Sequence, residues 1–299
     1  RNALIAAGVL PTGTTRTRIN PSSPACNPPA TVYAPQGPGG PAACSYDYMQ
    51  DTEIYPESDK IGFIGRAARQ IGDSHQLFTE VAYSRAETIY RLSPNPQRIR
   101  NLPVSILPEP YRSALTRPNL PTTFSGIRYR MTEAGNRTNE VTSEGSRLVL
   151  GLEGSFGEWD YGSALFRSKN EATDRYVDGY VLFDQFDAAV RSGTVNPFGP
   201  SSAPGLALID SITIDDEARK SEGVSQGVDF NFTRSLTELD GGFLGLALGG
   251  EFRNESQKFT PSALLLSNNI AGDRDSTLGL GESSLVATDE DRNIFSAYA

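Results

Sequence analysis

Cys26 and Cys44 are the two cysteines of a 299-residue chain. They sit among Pro and Gly, in Pro24-Ala25-Cys26-Asn27-Pro28-Pro29 and just after Gly37-Pro38-Gly39-Gly40-Pro41. An even, closely spaced pair in such a segment suggests a disulfide that staples a loop; the alternative is two unpaired thiols. Closing a ring of about 20 residues stabilises by roughly 3 kcal/mol in the chain-entropy model. A bridge would place the chain in an oxidising compartment such as the periplasm or cell surface. With no histidine near them, the two thiols do not make a zinc site.

Other chemistry-bearing residues are sparse. The one histidine, His75, stands beside a turn and has no partner in sequence for general-base or metal work. There is no G-x-S-x-G elbow, no P-loop and no H-E-x-x-H, so the expectation is a protein that is not an enzyme and carries no cofactor or metal. Asp273-Arg274-Asp275 and Asp289-Glu290-Asp291 are small acidic clusters that read as a solvated loop; neither has EF-hand spacing for calcium. Asn136-Arg137-Thr138 and Asn231-Phe232-Thr233 match the glycosylation sequon.

Composition narrows the classes. The formal net charge is −9, against the basic footprint a nucleic-acid binder needs. Gly (29) and Pro (20) are too frequent for a helical bundle. The best apolar run, Phe243-Leu244-Gly245-Leu246-Ala247-Leu248, is far short of a membrane helix, which leaves membrane β-barrels open. The chain opens Arg1-Asn2-Ala3-Leu4 without a signal peptide, and the expectation is an internal piece of a longer protein.

Two textures alternate along it. Period-2 hairpins are expected at about 58–90, 142–173 and 217–258, turning at Gly72-Asp73-Ser74, Gly157-Glu158 and Leu239-Asp240-Gly241-Gly242. A seventh strand starts near Arg292. In the third hairpin Val224, Val228, Phe230 and Phe232 alternate with Ser225, Gly227, Asp229, Asn231 and Thr233, so one face is apolar and the other polar. Between hairpins lie polar stretches at about 11–45, 92–125, 174–215 and 259–286. Unstructured connections beyond about 15 residues are uncommon in compact soluble domains. Short turn, long loop, in strict alternation, is the layout of a transmembrane antiparallel β-barrel with short periplasmic turns and long extracellular loops. One face would meet lipid and the other a wet lumen, with Trp159, Tyr161 and Tyr83 at girdle positions. A soluble β-sandwich also alternates, and remains the competing architecture.

Five segments, in order, resemble the large proteobacterial TonB-dependent outer-membrane receptors. They are Tyr55-Pro56-Glu57-Ser58-Asp59-Lys60-Ile61-Gly62-Phe63-Ile64-Gly65-Arg66, His75-Gln76-Leu77-Phe78-Thr79-Glu80-Val81-Ala82-Tyr83-Ser84, Gly157-Glu158-Trp159-Asp160-Tyr161, Gly193-Thr194-Val195-Asn196-Pro197-Phe198-Gly199 and Gly249-Gly250-Glu251-Phe252-Arg253. The resemblance covers the chain from about residue 40 onward. It implies the middle part of an all-β barrel of 22 strands in the outer membrane of a Gram-negative bacterium, in contact with lipid and lipopolysaccharide. The plug domain, the TonB-contacting box and the C-terminal strand of such receptors are absent from this sequence.

The implied activity is import of a scarce, unidentified small ligand into the periplasm, energised by TonB with ExbB and ExbD. Candidate ligand contacts on the extracellular loops are Tyr176, Tyr180, Phe183, Phe186 and Phe198, with the group Arg98, Arg100 and Arg112. Alternative functions are a passive porin, a barrel-type adhesin, or a soluble secreted β-sandwich binding module. Iron chelates, cobalamin, oligosaccharides and peptides all remain open as the ligand.

Overall fold

The computed structural model describes residues 1–14, 20–22, 25–26, 28–29, 31–35, 42–271, 274–275, 280–281 and 285–299. Of the residues singled out above, Pro24, Asn27, Gly37-Pro38-Gly39-Gly40-Pro41 and Asp273 lie outside the described residues. In chain order the strands are β1 (Val32–Pro35), β2 (Ala42–Ser45), β3 (Glu57–Ile71), β4 (His75–Pro94), β5 (Pro96–Pro103), β6 (Thr123–Arg130), β7 (Asn136–Phe156), β8 (Trp159–Asp178), β9 (Asp216–Leu239), β10 (Gly242–Pro261), β11 (Arg274–Asp275), β12 (Leu280–Gly281) and β13 (Thr288–Tyr298). The helices are α1 (Asn2–Ala6), α2 (Tyr111–Leu115), α3 (Phe183–Ser192), α4 (Ala203–Ile212) and α5 (Ala263–Leu266).

Seven strands form one antiparallel sheet in the order β13-β10-β9-β8-β7-β4-β3. Apart from the 11-residue β13 they run 15 to 24 residues, several times the five or six usual in soluble proteins. The turns fall where the alternation breaks: Gly72-Asp73-Ser74, Gly157-Glu158 and Asp240-Gly241. Gly157 takes a left-handed φ of 62°, which a two-residue hairpin turn demands and glycine supplies without strain. β3 and β13 do not pair with each other, so the sheet is open among the described residues.

The strands reach further than their hydrophobic alternation. β7 begins at Asn136 and β8 ends at Asp178, although Asn136-Arg137-Thr138-Asn139-Glu140 has no apolar face. There the ladder to both neighbours satisfies the backbone whatever the side chains are. Asp289-Glu290-Asp291, read from sequence as loop, lies on β13, and Asp289 pairs with Lys258 across to β10 at 3.2 Å.

The long connections are structured rather than irregular. The stretch 92–125 carries the β5–β6 hairpin and α2, 174–215 carries α3 and α4, and 259–286 carries α5. α3 ends at Gly193, whose left-handed φ of 80° closes the last turn. In the N-terminal stretch Cys26 and Cys44 are bridged, the latter on β2. All these segments leave the sheet at the end opposite the short turns and pack into one lobe. Its main core is Ile99, Leu102, Met131, Val181, Phe186, Val190, Val195, Ile209 and Ala271, drawn from the three connections β4 to β7, β8 to β9 and β10 to β13. A second core, around Tyr176, Tyr180, Ile214 and Ile270, joins the lobe to the ends of β8 and β9. The N-terminal segment adds α1 packed on α2, and Ser22 donating to the Phe198 carbonyl at 3.2 Å.

One cross-strand device recurs on the sheet's polar face. Phe78 stands directly opposite Gly151, Phe166 opposite Gly227 and Tyr298 opposite Gly249. Each ring lies over the glycine: a Cβ at Gly151 would sit 2.1 Å from the Phe78 ring. Arg66 and Arg147 stack on the outer sides of Phe78 and Phe166 at 5.0 and 5.5 Å. Gly151→Val should therefore drive Phe78 off its seat and destabilise the sheet by about 1–3 kcal/mol. The check is the denaturation midpoint: adding Phe78→Ala to Gly151→Val should recover part of the loss, and an additive double mutant would contradict this packing.

Candidate functional site

The two faces of the sheet differ in chemistry and in curvature. On one face a hollow of about 820 Å³ crosses six strands, β4, β7, β8, β9, β10 and β13. Its floor is made of small side chains, Ser84, Gly145, Ser168, Gly223 and Ser225, which leave the backbone approachable. Its rim carries ions: Arg147 donates to Ser168 Oγ at 2.8 Å, and Arg292 pairs with Glu255 at 2.6 Å. A hollow floored by hydroxyls and glycines, with fixed charges at its edges, suits a wet passage or a polar ligand better than an apolar one.

The other face carries an apolar belt. Leu165, Val228, Phe252 and Phe295 are direct cross-strand neighbours on β8, β9, β10 and β13, and Leu165 is 58% exposed. On β3, β4, β7 and β8 the belt is headed by Ile61, Tyr83, Leu148 and Leu165; Ile89 on β4 and Val224 on β9 stand above it on the same face, singly among polar neighbours. In the register each of those four heads stands two residues closer to the short turns than the one before. The belt's upper edge thus slants across β3 to β8 and runs level from β8 to β13. Above it the same face turns ionic: Lys169 bridges Glu171 and Glu222 at 3.1 and 2.7 Å, and Lys220 meets Glu171 at 2.6 Å. At the short-turn end Phe156, Trp159 and Tyr161 share the face; Arg234 stacks on Trp159, and the Tyr161 hydroxyl meets His75 Nδ1 at 2.9 Å. His75 is thereby a turn-end residue engaged with a tyrosine.

The lobe separates the sequence candidates. Phe186 is fully buried in its main core, and Phe183 packs against that core. Tyr176 and Tyr180 are buried and stacked, with ring centroids 4.1 Å apart, and the Tyr180 hydroxyl donates to Asn139 Oδ1 at 2.9 Å. These four side chains hold the lobe together and tie it to the polar face, on which Tyr176 and Asn139 are direct neighbours. Phe198 is half-buried, its carbonyl engaged by Ser22. Arg112 pairs locally with Glu109 at 2.9 Å. Ser113 Oγ and N–H donate to that carboxylate and, with Arg112, hold it below the usual carboxylate range.

Arg98 and Arg100 share one face of the β5–β6 hairpin, and the fold adds two arginines that the sequence reading missed. Arg128 stands directly opposite Arg98, and Arg130 follows on the same face. The alternation of Ile127 and Tyr129 with Arg128 and Arg130 was the available signal, in a stretch between the loop at about 92–125 and the hairpin at about 142–173 to which no element was assigned. Arg130 is fixed: it donates to Ser93 Oγ and the Pro94 carbonyl at 3.1 and 2.8 Å, and lies against the rings of Tyr46 and Tyr48. Burial, then the neighbouring Arg137, lowers its pKa. Burial and the Asp51 carboxylate together push the Tyr46 hydroxyl up to about 12, so it stays a proton donor to Asp51. On the inward side of the hairpin, burial raises Tyr129.

Among the described residues no group of three His, Cys, Asp or Glu could hold a metal ion, and no helix is long and apolar enough to cross a membrane. No family model, no curated protein and no solved structure matches the chain.

Proposed function

We propose that this chain is an arc of the wall, with its outward loop lobe, of an outer-membrane β-barrel that imports a ligand as TonB-dependent receptors do. The slant of the apolar belt carries the reading. A hydrocarbon layer is a flat slab, so strands that cross it at a tilt must shift their lipid-facing residues from one strand to the next. From Ile61 to Leu165 the upper edge falls six residues over three strand steps and then runs level to Phe295, a net fall of six residues over six steps. That is about 20 Å down for about 29 Å across, a slope of roughly 35°. Strands of membrane barrels tilt by about 35–45°. A soluble sandwich has no slab to impose such a slant, and would bury the belt under a second layer; among the described residues the belt stays exposed.

Import through a gated rather than an open barrel is supported by the lobe. Through Tyr176 and Tyr180 the long connections fold toward the polar, hollow side of the sheet. A lobe with its own buried core narrows that side, where a passive porin needs a clear lumen. The energy source, TonB with ExbB and ExbD, follows from the family resemblance.

The test uses the full-length protein in its host. It should fractionate with the outer membrane and come out only with detergent. Ligand accumulation should stop when a protonophore collapses the proton gradient. A detergent-free soluble monomer would overturn the membrane reading, and protonophore-insensitive flux would assign a porin instead.

A further inference from the structure

We infer that the outward face of the β5–β6 hairpin is a binding site for the oxyanion groups, carboxylate or phosphate, of a small soluble ligand. Charge is the first observation. The chain carries −9 overall, yet residues 96–130 hold six arginines and a single glutamate. That glutamate, Glu109, is already taken by Arg112 and Ser113.

Placement is the second. Arg98 and Arg128 are direct cross-strand neighbours, so their Cβ atoms stand about 5 Å apart, and like charges so placed repel. Neither forms an ion pair among the described residues, although Arg128 is exposed and Arg98 half-exposed. Arg100 and Arg130 flank them on the same face. Gly126, opposite Arg100, has a φ of 125°, and a Cβ there would sit 2.0 Å from the Ile99 carbonyl oxygen, so the two strands of the hairpin approach closely at that end.

Rigidity is the third. The reverse face of the hairpin is anchored in the lobe core through Ile99 and Ile127, and Gln97 and Asn95 are buried beside it. Two guanidinium forks held side by side on a fixed strand pair match an oxyanion bidentately, and an arriving anion removes the repulsion between them. As the first contact of an import route the site rests on the transport reading. As a site for oxyanions it stands on the hairpin alone.

The experiment titrates the full-length protein in detergent with pyrophosphate and with citrate by calorimetry at low ionic strength. Saturable binding is expected, weakening as salt is raised. Arg98→Gln and Arg128→Gln should each weaken it by at least about tenfold. The double change to Lys should lose part of the affinity, because the charge stays and the fork goes. Arg112→Gln, whose partner is Glu109, should change nothing. Absence of saturable binding to the wild type, or equal binding by the Arg98→Gln/Arg128→Gln variant with an unchanged circular dichroism spectrum, overturns the proposal. Binding only to phosphatidylglycerol vesicles and not to free anions would also overturn it, in favour of a lipid headgroup. If anions bind while uptake ignores the protonophore, the transport reading fails and the site stands. The converse result separates the two in the other direction.

Discussion

Phe186→Ala is expected to open the loop lobe while leaving the long sheet intact. Phe186 is fully buried, and its ring stacks on Tyr129 at 6.0 Å between centroids. Around it, Ile99 and Leu102 come from β5, Val190 from its own helix and Ile209 from α4. Truncating a phenylalanine in such a site removes its transfer free energy and leaves a cavity, together about 3–5 kcal/mol. That loss falls on a lobe whose three connections have no other common core. Hydrogen exchange should accelerate by orders of magnitude at α3, α4 and the β5–β6 hairpin, with β7 to β10 unchanged. Phe198→Ala, at a half-buried surface position, should have a small effect by comparison. Exchange rising equally in lobe and sheet would mean that the two form a single cooperative unit.

The contrast explains what the sequence could and could not disclose. The hairpins were legible because Val228, Phe230 and Phe232 against Asp229, Asn231 and Thr233 leave no helical alternative. The turns were legible because Gly157-Glu158 and Asp240-Gly241 interrupt that pattern. The disulfide followed from spacing and surroundings. The lobe was hidden for a physical reason. Its core is assembled from short runs, Ile99 with Leu102, Phe186 with Val190, and Val195 with Ile209. None is long enough to show a period alone, and each is buried only by the others. Polar strand ends such as Asn136–Glu140 were hidden likewise, since their order comes from the ladder on both sides.

The same limit governed the candidate site. Aromatic residues in polar stretches were read as ligand contacts; Phe186, Tyr176 and Tyr180 are packing residues because a lobe of this size needs large apolar side chains to hold together. Arg98 and Arg100 were picked from sequence as part of a basic group, but their partner Arg128 is thirty positions away from Arg98 and meets it only through strand pairing. Arg112, close in sequence, turned out to be locally paired.

Leu150→Arg should decide between a belt facing lipid and one awaiting a protein layer. Leu150 lies within the belt between Thr79 and Leu165, half-exposed. In a bilayer, an arginine there costs about 2–4 kcal/mol near the midplane. Asn170→Arg is the polar-face control, on β8 and five residues above the level of Leu150. Asn170 lies on the polar face between Gly145 and Gly223, in the hollow, where a long cation meets water and empty space. Folding into lipid vesicles, followed by urea titration, should show the first variant destabilised by that amount and the second nearly neutral. A belt buried by another protein surface would instead give a protein that folds without lipid and loses stability there on Leu150→Arg, because an unpaired charge would then be trapped between two layers. The two substitutions place the same side chain on opposite faces of neighbouring strands, and so report the solvent on each side of the same sheet.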